Sequence, residues 1–418
     1  MGKQERGGLF VGLVLVVAGG CGGDPAPTHV GTDVVSGDNV KYATVTVGTD
    51  GTTYFGDGFS GPLDIDPLGA GDVRMAADGG PTTLVWRTRA DGTRDWIRMI
   101  DGYDYSTTST SWRASDWAVF VAQATSITKL DSDGQPLWTS ACADWGCNSI
   151  YGVASAAATA DGGIVVAGWD KGLARLAGDG SVRWVSTAAQ LAPGCTDNLQ
   201  IAKVLEAPDG TLLIGGDALT PCTSASSSWP WGMFISRLDA GGNLIARRTV
   251  ENGDDNAEAV LMDMAVGADG SVFASGYIQG TVDFDDGPGK VVRSAGSGAA
   301  GFAMKMRPDF SLIAAVKTAA NQNFLGLIAP MPDGGLVGVE HHDDQIFGGV
   351  SDPYLVRLDA GLSHVSSLRL AGVHSYVNGL AVGGNVIAVV GVGPANEYIP
   401  GASGDTVPDG LFLARYRF

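Results

Sequence analysis

The chain has 418 residues, of which 63 are glycine, 44% are hydrophobic and only 17% are charged. So much glycine with so few charges excludes disorder as a description of the whole chain and suits many short strands joined by tight turns. With 26 Lys and Arg against 45 Asp and Glu, the net charge of −19 leaves no basic face for nucleic acid or for an anionic membrane surface.

Lys3 and Arg6 precede a short apolar run, Leu9 to Val17, and the small residues Ala18, Gly19 and Gly20 lead into Cys21. The run is too short for a permanent membrane helix, so residues 1–20 read as a secretory signal. The stretch Val17-Ala18-Gly19-Gly20-Cys21 resembles a bacterial lipobox, although the third residue before the cysteine is Ala rather than the commoner Leu. The resemblance implies cleavage before Cys21, lipidation of its thiol, and attachment to the outer membrane or cell surface. An ordinary signal peptide with an incidental cysteine is the alternative. Residues 21–39 are rich in Gly, Pro, Asp and Thr and read as a flexible tether, leaving 40–418 as the folded domain.

From residue 41 onward two patterns alternate. The first is an apolar run, a turn on Asp-Gly, and a second apolar run, as at Asp50-Gly51, Asp161-Gly162, Asp209-Gly210, Asp269-Gly270 and Asp333-Gly334. Glycine suits such a turn because it accepts positive φ without steric cost. The second is a strand ending in a basic residue followed by another turn. The basic positions are Arg87, Lys129, Arg175, Arg237, Lys305, Arg357 and Arg415, spaced 42 to 68 residues apart. Two hairpins per unit predict an all-β fold: a single seven-bladed β-propeller with four strands per blade. The last repeat stops at its third strand, GLFLARYRF. Residues around 30–38 are therefore expected to supply the fourth, or the blade stays three-stranded. Two stacked sheets are the competing architecture.

The stretch GYIQGTVDFDDGPGKVVRSAGSGAAGFAMKM (276–306), and more loosely YFGDGFSGPLDIDPLGAG (54–71), is similar to the bacterial β-propeller repeat labelled SBBP, with its G-x-F/I-x-G-T-V-D-F segment. The chain departs from that pattern at Pro308-Asp309-Phe310, where the turn glycine is absent. The resemblance implies an exported propeller and no defined activity.

In a propeller the turns between strands one and two and between three and four share one face, and all other connections share the opposite face. Here the turns are short, so insertions fall on the second face, chiefly in blades 1, 4, 5, 6 and 7, where long loops on a rigid scaffold are suited to binding. Cys142, Cys147, Cys195 and Cys222 form an even set in an exported chain. Pairing Cys195 with Cys222 and Cys142 with Cys147 is the expected disulfide pattern among three possible ones, with a metal site as the alternative. Trp145, Trp229, Trp231, Asp254 and Asp255 are the candidate ligand-binding residues, with packing of loop on blade as the alternative for the tryptophans. Asp64, Asp66, Asp283, Asp285 and Asp286 could offer hard oxygens to Ca²⁺, but they lack the full spacing of a calcium loop, and solvated turn carboxylates are the alternative. No other cofactor is indicated. His341 and His342, adjacent on a strand, would point to opposite sides.

No nucleophile motif, phosphate loop or zinc-helix motif occurs. Trp96, Trp138 and Trp184, similar in outline to the repeats of quinone-dependent dehydrogenase propellers, read as packing between blades. The expectation is a non-catalytic envelope scaffold or binding lipoprotein, monomeric, reaching the membrane only through its anchor and meeting a protein or glycan partner. A polysaccharide lyase or hydrolase, or another propeller enzyme with its site at the axis, is the alternative.

Overall fold

Short apolar runs separated by Asp-Gly turns can bury both faces only by stacking against copies of themselves, and the chain does so around a ring. The computed structural model describes residues 28–36, 44–66, 71–76, 82–101, 109–112, 119–123, 125–145, 153–168, 172–191, 199–219, 231–252, 257–285, 289–318, 323–342, 352–370, 376–384, 386–393, 397–398, 406–407 and 410–417. Six antiparallel sheets follow in chain order, each with its strands in the order 1-2-3-4: blade 1 begins at Thr44–Val47, blade 2 at Ser109–Trp112 and blade 3 at Val153–Ala158. Blade 4 begins at Leu199–Glu206, blade 5 at Glu258–Val266 and blade 6 at Asn323–Pro330.

Blade 7 takes its first three strands from Tyr376–Gly383, Val386–Gly393 and Gly410–Arg417, and its fourth from Thr28–Ser36 at the other end of the chain. The register runs from Thr28 opposite Arg417 to Ser36 opposite Gly410. The expected closure of the ring by the N-terminal segment is therefore present. It also corrects the extent of the tether, because residues 28–36 of the stretch assigned to it are a strand. First strands of neighbouring blades touch all the way round, including blade 7 against blade 1. Seven apolar clusters fill the seven seams, from Tyr54, Val85 and Val121 between blades 1 and 2 to Val35, Phe55, Trp86 and Leu413 between blades 7 and 1.

Among the described residues one turn recurs throughout one face of the wheel. In eleven five-residue turns, the first N–H donates to the fifth carbonyl and the fourth N–H donates to the first, as at 48–52, 89–93, 131–135 and 239–243. An aspartate at the third position (Asp50, Asp91, Asp161, Asp179, Asp209, Asp269, Asp309, Asp333) or at the first (Asp131, Asp239, Asp359) accepts the N–H of the fifth residue. The fourth residue takes positive φ and is glycine in nine turns; Phe310 (φ 67°) and Leu362 (φ 65°) are the exceptions.

Six of the seven basic positions reach across a seam to the turns of the following blade. Arg87 donates to the Ser132 carbonyl, Lys129 to Gly162, Arg175 to Ala240, and Lys305 to Gly334 and Ala360, each in the following blade. Arg237 lies over the Phe310 ring of blade 5 at 5.7 Å. The Arg415 guanidinium packs so near Gly92 of blade 1 that a Cβ there would sit 3.0 Å from it. Arg357 binds Asp333 within its own blade at 2.7 Å. Except for Arg87, which is half-buried, all seven are buried, and a buried cation is tolerated only with such partners.

Opposite Arg87, Lys129 and Arg175 on the fourth strands stand Trp96, Trp138 and Trp184. Their indole N–H groups donate to Ser132, Gly178 and Ala240, again in the next blade's turn. Each ring lies on the turn glycine, so that a Cβ at Gly134, Gly180 or Gly242 would come within 2.8 to 3.1 Å of it. In blades 4 and 5 the fourth-strand position holds Ala246 and Ala314 instead. There the following turn supplies the apolar group itself: Phe310 packs in the seam with Ala246, and Leu362 in the seam with Ala314. Positive φ costs a side-chain residue about 1–2 kcal/mol, whereas burying a Phe or Leu side chain stabilises by about 1.5–3 kcal/mol. This explains why the repeat can lose its glycine at Pro308-Asp309-Phe310.

The exchange is testable. Phe310→Gly should destabilise the wheel by about 3 kcal/mol through the cavity it leaves, and Ala246→Trp by about 1–3 kcal/mol through overpacking. In denaturant melts the double variant should be more stable than the sum of the two predicts, by about 1 kcal/mol or more. Simple additivity would contradict the exchange.

Candidate functional site

Differences in connection length between blades collect on the other face. Strands two and three are joined through residues 124–125 in blade 2 and 169–171 in blade 3, but through 60–81 in blade 1, 220–230 in blade 4, 343–351 in blade 6 and 394–409 in blade 7.

In blades 1 and 5 the connections between strands two and three form straps to the preceding blade. In blade 1, Pro62–Asp64 pairs with Val73–Met75, and Asp64 pairs with Ser36 on the outer strand of blade 7. In blade 5, strands two and three run on as Val272–Asp283 and Val292–Met306, and Val282 and Asp283 pair with Asn252 and Glu251, just beyond the outer strand of blade 4. Each strap pins an apolar side chain in the seam, Ile65 and Phe284, both 1% exposed.

These straps account for several of the calcium candidates. Asp64 Oδ1 accepts the N–H groups of Asp66 and Asp72, and Asp283 Oδ1 accepts those of Asp285 and Val291, at 2.9 to 3.1 Å. In each loop the next residue's N–H reaches the carbonyl eight residues beyond the aspartate. The two loops share one hydrogen-bonding plan in which the first carboxylate caps backbone donors. Asp66 is exposed, and Asp285 lies 3.9 Å from Arg248. Asp286 lies outside the described residues. Among the described residues no three His, Cys, Asp or Glu side chains converge as a metal site would require.

Trp145 ends a 3₁₀ turn, Cys142–Trp145, and is only 3% exposed, packed with Cys142, Phe120 and Ile164 between blades 2 and 3. Of the two readings of Trp145, ligand contact and packing of loop on blade, this burial fits the second. Trp231 opens the third strand of blade 4, paired with Leu219. Trp229, Asp254, Asp255, Cys21, Cys147, Cys195 and Cys222 lie outside the described residues. His341 and His342 are consecutive on a strand, as expected, and His341 stacks on Phe324 at 4.8 Å.

Beneath the insertion face lies a set of buried polar side chains that motif reading missed. Asn323 donates to Glu340 and accepts the N–H of Gly301; Gln123 donates to Thr83. Asp263 accepts the Ile328 N–H of blade 6 while binding Lys203 of blade 4 at 2.7 Å, joining three blades near the axis. Between blades 4 and 5 the set includes two carboxylates whose charges oppose each other. Asp217 accepts the Leu261 N–H at 2.9 Å, yet burial and the Glu258 charge push its carboxyl up to about 7. Burial also raises Glu258, and burial with these two carboxylates raises the Tyr277 phenol above its ordinary range. The only sequence signal for this group is Asp217 following a Gly-Gly pair on an otherwise apolar strand. A carboxyl that keeps its proton at neutral pH can donate a hydrogen bond or a proton to a bound group.

No protein-family model and no curated protein matches the chain. Among solved structures, the WD40 domain of Neurospora crassa Pan2 is similar at 10% identity and a TM-score of 0.53, covering 90% of this chain and 89% of that one. The WD40 β-propeller of Doa1 is similar at 13% identity and a TM-score of 0.51, covering 93% and 96%. At these identities the likeness is one of fold: the chain is an all-β, seven-bladed β-propeller with mostly four-stranded blades.

The Asp217 shift has a definite sign. Its folded value, about 7, lies above the unfolded value of about 3.9, so the folded state holds the proton more tightly and stability falls as pH rises from about 4 to about 7. Asp161 acts oppositely. Against a burial penalty, the Thr159 hydroxyl, Arg175, the Gly163 N–H and Arg183 hold it down to about 2, so its contribution is lost as pH falls from about 4 toward 2. In thermal melts across pH 4–8, Asp217→Asn should flatten the decline and melt higher than the parent at pH 8. An unchanged pH profile would contradict the assignment.

Proposed function

We propose that the protein is a non-catalytic scaffold of the bacterial cell envelope, lipidated at Cys21, which presents the loops of its insertion face to a protein or glycan partner. The observation that carries this reading is the contrast between the two faces. Among the described residues eleven turns on one face repeat a single hydrogen-bonded plan, and several of them receive a cation from the preceding blade. Length and composition vary on the other, where rigid scaffolds usually carry recognition. In this reading Trp229, Trp231, Asp254 and Asp255 contribute to the contact, and Cys195 pairs with Cys222 and Cys142 with Cys147 to brace the loops.

A second reading is favoured by one observation, the Asp217–Glu258 pair beside Tyr277. A protonated carboxyl next to a second carboxylate is the arrangement that acid–base cleavage of an envelope polysaccharide would use.

Photo-crosslinking in the native envelope separates the readings. A crosslinker at Lys290, on the insertion face, should capture a discrete protein or glycan, one at Ala160 on the turn face should not, and Trp231→Ala should weaken the capture at least several-fold. Equal capture from both faces would contradict the scaffold reading. Turnover of isolated envelope polysaccharide, lost in Asp217→Asn, would replace it with the enzymatic one.

A further inference from the structure

The outer strand of blade 7 has a direction, and that direction orients the wheel. A third strand runs from the insertion face to the turn face, so Gly410 lies at the insertion face and Arg417 at the turn face. Thr28–Ser36 is antiparallel to it, with Thr28 opposite Arg417 and Ser36 opposite Gly410. The chain therefore enters the wheel at the turn face, on the rim of blade 7, and climbs toward the insertion face.

Between Cys21 and Thr28 there are seven residue steps, which span at most about 25 Å when fully extended. The strand itself climbs about 26 Å from Thr28 to Ser36, at about 3.3 Å per residue. A lipid on Cys21 would exhaust its whole reach in travelling back along the rim to the plane of the insertion face. Nothing would remain for the straps of blades 1 and 5, which belong to that face.

We infer that the turn face at the blade 7 rim is the side of the wheel nearer the membrane to which Cys21 is attached, held there by the tether alone, and that the insertion face points away from that membrane. This rests on the lipidation reading and adds what that reading leaves open, the direction in which the binding loops point. A partner of the insertion face is then a soluble molecule, or one standing off the membrane, rather than the surface of the same bilayer.

The test uses the full lipidated chain in vesicles of phosphatidylethanolamine and phosphatidylglycerol that carry an acceptor dye on the lipid headgroup. A single fluorescent amino acid replaces Ala360, exposed on the turn face of blade 6, or Lys290, exposed in the blade 5 strap. Energy transfer from position 360 should be much the stronger, with the two heights differing by about the strand length of 26 Å. Inserting twenty Gly and Ser residues after Gly22 should reduce the difference at least two-fold, because the reach then exceeds the height of the wheel. Equal transfer from both positions in the parent chain, or stronger transfer from 290, with the protein still floating on the vesicles, would overturn the orientation and leave lipidation standing. If the chain takes up no labelled palmitate and floats no better than Cys21→Ser, the lipidation reading fails and the orientation falls with it.

Discussion

The contact on which the structure depends is the reach of a buried third-strand cation to the turn of the following blade. A blade has two apolar faces and no core of its own, so it is stable only between neighbours. Apolar packing alone is non-directional and would let blades slide along their seams. Lys129 on Gly162, Arg175 on Ala240 and Lys305 on Gly334 and Ala360 fix the sliding coordinate, because each buried charge must find carbonyl oxygens at one height. The indoles of Trp96, Trp138 and Trp184 repeat the constraint one strand further out. In blades 4 and 5, which lack the indole, Phe310 and Leu362 of the facing turn pack in its place.

Two further devices close what the seams begin. The N-terminal strand completes blade 7, so both ends of the chain meet in one sheet and the ring opens only if that sheet is pulled apart. The straps of blades 1 and 5 tie each of these blades back to its predecessor on the opposite face, with Ile65 and Phe284 buried as pegs. The cations of six blades reach forward to the next, and the straps hold two blades backward. The turn face is thereby committed to architecture, and on the insertion face sequence is free to change outside the straps and the seam-packed Trp145.

Much of this was legible in the sequence, and for identifiable reasons. Asp-Gly marks a turn because only glycine takes positive φ freely, so the turns and hence the blade count could be read directly. The seven cations were visible as a repeat, but Arg87, Lys129, Arg175 and Lys305 find backbone carbonyls 29 to 65 residues away, and a carbonyl has no sequence signature. Trp145 has the composition of an exposed ligand platform and is buried, because its place depends on how a 3₁₀ turn folds back on blade 3. The VDFDDG segment suggested calcium, yet its first aspartate caps backbone donors of its own strap. Asp217 and Glu258 come from different blades, 41 residues apart, and their mutual effect arises only from the seam that brings them together.

The central claim is that the turn face behaves as one structural unit. Native-state hydrogen exchange tests it most directly, by following the amides that close the turns, Gly51, Gly92, Gly134, Gly180, Gly210, Gly242, Gly270 and Gly334 among them. The account predicts that these amides exchange together, with a single free energy equal to that of global unfolding in denaturant. Turns that open one by one at clearly lower and unequal free energies would contradict it, and would mean that the cations decorate the seams rather than hold them.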